Sequence, residues 1–245
     1  MLEDLEFITE RRSMKVELHS LTARYSAASA IPPRELIAMA EASGYDAVFL
    51  TERNAVWPRM ELAGLRELCD TVRLFPGIEL ELEDGCELLV LGAEDPEYTE
   101  LRAPADVLAR AAKDGFLTVL VHPYTHEGAW PEYASLVDAI ETQTASLPNA
   151  DAAGGAEAFA VERGLAAVYT GDAQGLNYLN RFWIETDTRF DTPQELRNIV
   201  VAGRYENRAR ESDESVPPPF KAANLDQLSA EAQAALIRPE PSLQD

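Results

Sequence analysis

Four apolar runs of this chain end on a residue able to bind a metal ion, and that recurrence constrains the fold more than any other feature. Lys15-Val16-Glu17-Leu18 leads into His19, Pro76-Gly77-Ile78 into Glu79, the run closing at Val121 into His122, and the run closing at Gly171 into Asp172. Each run reads as a buried strand. Imidazoles and carboxylates delivered from separate strand ends to one rim are how a barrel assembles a metal site.

The rest of the chain alternates accordingly. Further strands are expected at Asp46–Thr51, Glu87–Gly92, Asp138–Thr144 and Arg181–Thr186, with Leu74–Glu83 and Glu87–Gly92 joined through the hairpin dipeptide Asp84-Gly85. Proline-initiated, apolar-periodic segments predict helices from Pro32 to Ala42, Pro58 to Val72 and Pro104 to Lys113, and weaker patterns predict Gly155–Arg163 and Thr192–Ala202. Repeated strand–helix units ending in polar residues define an α/β chain of the (β/α) barrel type. The pattern divides the chain into an N-terminal extension (1–13), a barrel (14–204) and a C-terminal tail (205–245). In the tail, Leu225, Leu228, Ala232, Ala235, Leu236 and Ile237 fall near helical spacing behind Pro217-Pro218-Pro219. That stripe is expected to dock on its own barrel, on a second copy or on a protein partner, because a short isolated helix is marginal in water.

Composition removes several function classes. The net charge is −22, and Lys15, Lys113 and Lys221 are the only lysines. Such a surface repels phosphate backbones at long range, so nucleic acid is an unexpected partner. Neither a membrane-length apolar run nor a basic-then-apolar leader is present in the sequence, and a cytoplasmic location is expected. Cys69 and Cys86 lack metal-type spacing and read as free thiols, while Trp57, Trp130 and Trp183 read as packing residues.

The motif surroundings resemble the PHP (polymerase and histidinol phosphatase) family of metal-dependent phosphoesterases over about Lys15 to Arg204. The family's opening Asp-Leu-His-x-His pattern is matched by Glu17-Leu18-His19-Ser20-Leu21, which keeps the first histidine and has leucine for the second. Thr51-Glu52-Arg53-Asn54 matches a motif whose histidine has become Arg53, and Gly171-Asp172-Ala173-Gln174 matches one whose histidine has become Gln174. Pro76-Gly77-Ile78-Glu79 and His122-Pro123 are intact, and Leu89 is assigned to a further position where the family often has histidine. The resemblance implies a distorted (β/α)7 barrel.

Ligand arithmetic then sets a limit. His19, His122 and His126 are the only histidines, and first-row metals take about four to six ligands each. A multi-ion site is out of reach, whereas His19, Glu79, His122 and Asp172 suffice for one ion. The expectation is at most one divalent metal, zinc or manganese, or none. His126 reads as a loop residue. The resemblance implies that the histidines replaced by Arg53 and Gln174 would bind one shared ion. Arg53 is therefore a candidate to occupy roughly that position and pair with a phosphate, or with Asp172 or Glu79, and Asp172 is a candidate catalytic residue. Two function classes follow. One is a degenerate PHP-type protein with reduced or no catalytic activity and a scaffold or ligand-binding role. The other is a single-metal phosphoesterase acting on a phosphorylated small molecule.

Overall fold

A computed structural model of the chain describes residues 13–123, 130–146 and 152–210. The N-terminal stretch up to residue 12, His126 and the apolar stripe expected in the tail lie outside the described residues. The elements are β1 (Met14–Ser20), α1 (Pro33–Ala42), β2 (Ala47–Leu50), α2 (Arg59–Arg66), β3 (Arg73–Glu81), β4 (Glu87–Leu91), α3 (Pro104–Asp114), β5 (Leu117–Val121), β6 (Ala139–Thr144), α4 (Ala152–Arg163), β7 (Ala166–Thr170), β8 (Phe182–Thr186), α5 (Pro193–Val201) and β9 (Tyr205–Ala209). No helix among the described residues is long and apolar enough to cross a membrane.

Proline supplies the first turn of α1, α3 and α5, where its missing N–H costs nothing. Thr192 and Glu195 add a reciprocal capping box to α5, and Gly115, at φ 74°, ends α3 in the left-handed conformation. The helix expected from Pro58 to Val72 stops at Arg66. Glu41 explains the early end, because its Oε1 accepts from the backbone N–H groups of Asp70, Thr71 and Val72 at 2.6, 2.8 and 3.3 Å. Those donors are thereby taken from the helical ladder.

One sheet carries nine strands in the order β7-β6-β5-β4-β3-β2-β1-β8-β9. The first seven follow chain order, as the expected seven-stranded barrel requires, and β8–β9 adds an antiparallel pair on β1. The barrel is distorted at β4, which runs antiparallel to both neighbours. Its first residue, Glu87, therefore lies at the rim where the parallel strands end. β9 extends the sheet five residues past the expected barrel boundary at residue 204. A charged stretch with one aromatic gave no alternation to mark it as a strand.

Alternate side chains of the strands, including Val16, Phe49, Phe75, Leu89, Val119 and Val168, fuse into one buried cluster together with Leu196, Ile199 and Val200 of α5. Helix α5 sits against the N-terminal strand ends. Arg197 grips Asp138 just before β6 at 2.7 and 3.0 Å, and Arg73 at the start of β3 reaches the Phe190 carbonyl at 2.6 Å and Asp191 at 2.7 Å. The other helices cover the outside through two further clusters, one on β3–β6 and one on β2 and β3. Among the described residues, α5 covers the N-terminal end of the barrel.

Closure between β7 and the β8–β9 pair uses side chains in place of a ladder. The Tyr205 hydroxyl and the Asn207 amide both donate to the Ala167 carbonyl, at 2.7 and 2.8 Å, while Asn207 Oδ1 accepts from the Tyr169 N–H at 2.9 Å. Replacing Asn207 with Ala strands that donor and is expected to cost about 1–2 kcal/mol, or roughly 2–8 °C in melting temperature. Glu206→Ala, one exposed position away, serves as control and should stay within about 0.5 kcal/mol. Equal melting temperatures for the two variants would show that closure does not depend on this amide.

Candidate metal centre

The rim residues are set by unusual backbone. His122 follows β5 with φ 48°, Asp172 lies two residues beyond β7 with φ 41°, and Asn54 follows the β2 segment with φ 53°. Each left-handed non-glycine residue costs on the order of 1 kcal/mol or more, and such strain collects where a side chain must point in a fixed direction. Gly171, just before Asp172, leaves room for the Glu17 carboxylate: a Cβ there would lie 2.3 Å from Glu17 Oε2 and would push that side chain away. The buried Glu17 carboxylate instead accepts the Gly171 N–H at 2.8 Å and the His19 N–H at 3.1 Å, tying the ends of β1 and β7 together. Ala173 completes the tie through hydrogen bonds with His19 and Leu21.

This frame brings the four residues singled out from sequence into one cluster. His19 Nε2 is 3.5 Å from Glu79 Oε1 and 3.6 Å from Asp172 Oδ1. His122 Nε2 is 3.8 Å from Glu79 Oε1 and 3.7 Å from Asp172 Oδ2. Both ring nitrogens of His19 are fully buried with no hydrogen-bond partner. These separations are too long for hydrogen bonds, yet they match the donor–donor edge of about 3.4 Å expected around a tetrahedral ion with bonds near 2.1 Å. A buried imidazole without a partner costs about 1–3 kcal/mol, and coordination would remove that cost. Of the four, His19, His122 and Asp172 offer ligand atoms within 4.8 Å of one another, a set able to hold one divalent metal, and Glu79 borders it beside His19.

A carboxylate that sequence reading passed over stands behind both imidazoles. Glu141 Oε1 is 3.1 Å from His122 Nδ1 and accepts the His122 backbone N–H at 3.1 Å, and Glu141 Oε2 is 4.0 Å from His19 Nδ1. Carboxylates in this outer position fix the tautomer and orientation of ligating histidines. The available signal was a fully polar residue inside the apolar strand Ala139-Ile140-Glu141. Glu87 was also missed. Leu89, assigned from sequence to a position where the family often has histidine, pairs directly with Glu79 across the β3–β4 ladder and packs into the buried cluster, and Glu87 two residues earlier reaches His122 Nε2 at 3.7 Å. Glu87 was missed because β4 is reversed, so its start faces the rim.

Arg53 and Gln174 also arrive at the cluster. Arg53 donates from Nε to Glu79 Oε2 at 3.1 Å and from Nη2 to Glu79 Oε1 at 3.3 Å, and Nη2 lies 2.9 Å from Glu87 Oε1. The Gln174 amide donates to both oxygens of Asp172, at 3.1 and 3.0 Å. Cys69 and Cys86 are free thiols.

Charge couples these groups tightly. Burial alone would depress His19, but Asp172 and Glu79 outweigh it and hold its pKa well above the ordinary value. Burial likewise opposes charge on His122, and Glu141 overcomes it to set a pKa of about 9. Burial would raise Glu79, yet His19 and Arg53 bring it down to about 2. Glu141 falls well below the carboxylate range because His122 outweighs its burial. Glu17 goes the other way, pushed up to about 7 by burial.

No family model matches the sequence, and no curated protein matches it either. Solved structures do match. A two-domain protein from Bacteroides vulgatus containing a predicted PHP-like metal-dependent phosphoesterase aligns with TM-score 0.65 and 17% identity, covering 81% of this chain and 65% of that one. This chain thus spans less than two thirds of that protein. PsfC from Pseudomonas syringae aligns with TM-score 0.60 and 17% identity over 81% of this chain and 92% of its own. An amidohydrolase from Chromobacterium violaceum, solved with bound sulfate and no metal, aligns with TM-score 0.52 and 14% identity over 78% and 97%. The molecule is an α/β barrel with a histidine–carboxylate cluster at its C-terminal rim. Its fold is that of the PHP-like phosphoesterases.

The pKa directions generate a stability test. In metal-free protein, the His122 contribution is fully present below its ordinary pKa of 6.5 and is lost as pH rises through about 9. The Glu79 contribution is present above its ordinary 4.5 and is lost as pH falls through about 2. Chelator-treated protein is therefore expected to lose melting temperature from near neutral pH up to pH 9. Excess Zn²⁺ competes with the proton for the imidazole, so its stabilisation grows over the same range. Identical pH slopes with and without Zn²⁺ would contradict ligation by His122.

Proposed function

We propose that this chain is a degenerate PHP-type protein, derived from metal-dependent phosphoesterases, that holds one divalent ion and binds a phosphorylated small molecule with reduced or no turnover. The observation carrying this reading is that carboxylate oxygens of Glu79 and Asp172 take hydrogen bonds from Arg53 and Gln174, the two residues that stand where the resemblance implies histidine ligands of a further ion. Further cations at a multi-ion centre would need those oxygens. His19, Glu79, His122 and Asp172 would hold the remaining ion, zinc or manganese. Such an ion supplies Lewis-acid polarisation of a phosphoryl oxygen.

The protein's own groups account for the rest. Glu141 holds His122, lying 3.1 Å from its Nδ1 and accepting its backbone N–H, and Glu17 fixes the junction of the two strand ends that deliver His19 and Asp172. Arg53, about a third exposed at the rim, has N–H groups that can meet an incoming phosphate while its carboxylate contacts hold it in place. With one ion and one guanidinium, less developing charge is neutralised than at a two- or three-ion site, and slow chemistry follows. The second reading, a single-metal phosphoesterase, draws on the unpartnered nitrogens of His19, since an inherited but unused site gains nothing by keeping that cost.

Metal content and melting behaviour test the proposal. Protein purified without chelator and dialysed against Zn²⁺ is expected to retain about one equivalent. At a hundredfold excess over Kd the ion adds about 2.7 kcal/mol, or roughly 5–11 °C, to a body of this size. Glu79→Gln should abolish both effects. Inorganic phosphate should bind, and hydrolysis of p-nitrophenyl phosphate should be slow or absent. Fast hydrolysis would favour the second reading, whereas a protein that takes up no metal and shows no Zn²⁺-dependent shift would leave a scaffold role.

A further inference from the structure

The His19-containing cluster shares its rim with a second donor set. Glu79, Glu87 and His122 offer three ligand atoms within 4.8 Å of one another, and Glu79 and His122 are shared with the first ion's proposed ligands. Glu87 reaches this place only because β4 is reversed and presents its first residue to the C-terminal rim. His122 Nε2 lies 3.7 Å from Glu87 Oε2 and 3.8 Å from Glu79 Oε1, spacings that suit donors around a shared ion.

Between the two carboxylates lies the Arg53 guanidinium. A single nitrogen, Nη2, is 3.3 Å from Glu79 Oε1 and 2.9 Å from Glu87 Oε1, so it bridges them as a cation would. Its anchorage is firm. The Arg53 N–H donates to Ser26 Oγ at 2.9 Å, and Ser26 in turn donates at 2.7 Å to the buried carboxylate of Glu52, which also takes the Trp57 indole N–H at 3.0 Å. The neighbouring backbone pairs with β3 on both sides, Asn54 N–H to the Glu79 carbonyl at 2.7 Å and Glu79 N–H to the Glu52 carbonyl at 3.1 Å. A guanidinium does not lose its proton at any working pH. A metal ion cannot displace it by releasing a proton, as it does with histidine, and must expel the whole side chain.

We propose that the Arg53 guanidinium is the resident cation of the Glu79–Glu87–His122 position, so that the wild-type rim accepts one divalent ion and removing Arg53 opens a second ion site. The proposal rests on the metal-centre reading above and adds what limits that centre to one ion. Arg53 is thus a positioning residue that sets stoichiometry. Its removal leaves the charges of the two carboxylates it bridges unopposed, which favours a divalent replacement.

Mn²⁺ is the probe, used on the full chain as wild type, Arg53→Met and Arg53→Met/Glu87→Gln, with Arg53→Ser as the second variant should the Met form not fold. Equilibrium dialysis with elemental analysis reads stoichiometry, and low-temperature electron paramagnetic resonance reads whether two ions share a bridge. Wild type is expected to hold one equivalent with an uncoupled six-line spectrum. Arg53→Met should hold two equivalents with an exchange-coupled spectrum, and the double variant should return to one. A folded Arg53→Met protein that stays at one equivalent overturns the proposal while leaving the single-ion centre standing. Two equivalents in wild type overturn it as well, because Arg53 would then exclude nothing. No binding by any variant overturns the metal-centre reading itself.

Discussion

The carboxylate of Glu79 is the group on which the rim depends. It is fully buried and lies within ion-pair distance of His19, His122 and Arg53 at once. Removing a carboxylate from water costs several kcal/mol unless cations surround it, so this one residue dictates that its neighbours carry positive charge, as protonated imidazoles, a guanidinium or a metal ion. The backbone holds it equally hard, pairing with the Glu52–Asn54 segment beside it. Two residues upstream, Gly77 lets β3 approach Thr51 closely, since a Cβ there would meet Thr51 Cγ2 at 2.9 Å.

The two ends of the barrel divide the work. At the N-terminal end, α5 and its arginine contacts close the structure with paired, partly exposed charges. At the C-terminal end, buried carboxylates outnumber permanent cations, and three left-handed non-glycine residues hold side chains in place. The parallel order of most strands sends their last residues to that end. Reversal of β4 sends its first residue there too, which places Glu87 opposite Arg53 and gives the rim its second set of donors.

Much of this was legible in the sequence. Strand–helix alternation and ligand-type residues at strand ends located the barrel and its rim, because a buried run that stops on a histidine or carboxylate leaves few other arrangements. Glu141 and Glu87 were not found. One is a carboxylate inside an apolar strand and the other precedes an apolar strand, and only strand direction and packing show that both face the imidazoles. The direction of β4 is set by its neighbours and not by its own residues, so nothing in the sequence signals that its first residue reaches the rim. The shortened α2 depended on Glu41, 29 residues from its first contact at Asp70 and invisible to any local pattern. Strand β9 is held by its main-chain ladder to β8 and by the Tyr205 and Asn207 side chains on β7, a long-range arrangement that propensity does not encode.

The central claim is that His19, Glu79, His122 and Asp172 enclose one divalent ion while Arg53 stands in for another. Anomalous diffraction at the zinc edge from crystals grown with Zn²⁺ tests it most directly. The account predicts a single strong peak bounded by those four side chains, with Arg53 still bridging Glu79 and Glu87. A rim with no peak, or with a second peak between Glu79 and Glu87 in the presence of Arg53, would contradict it.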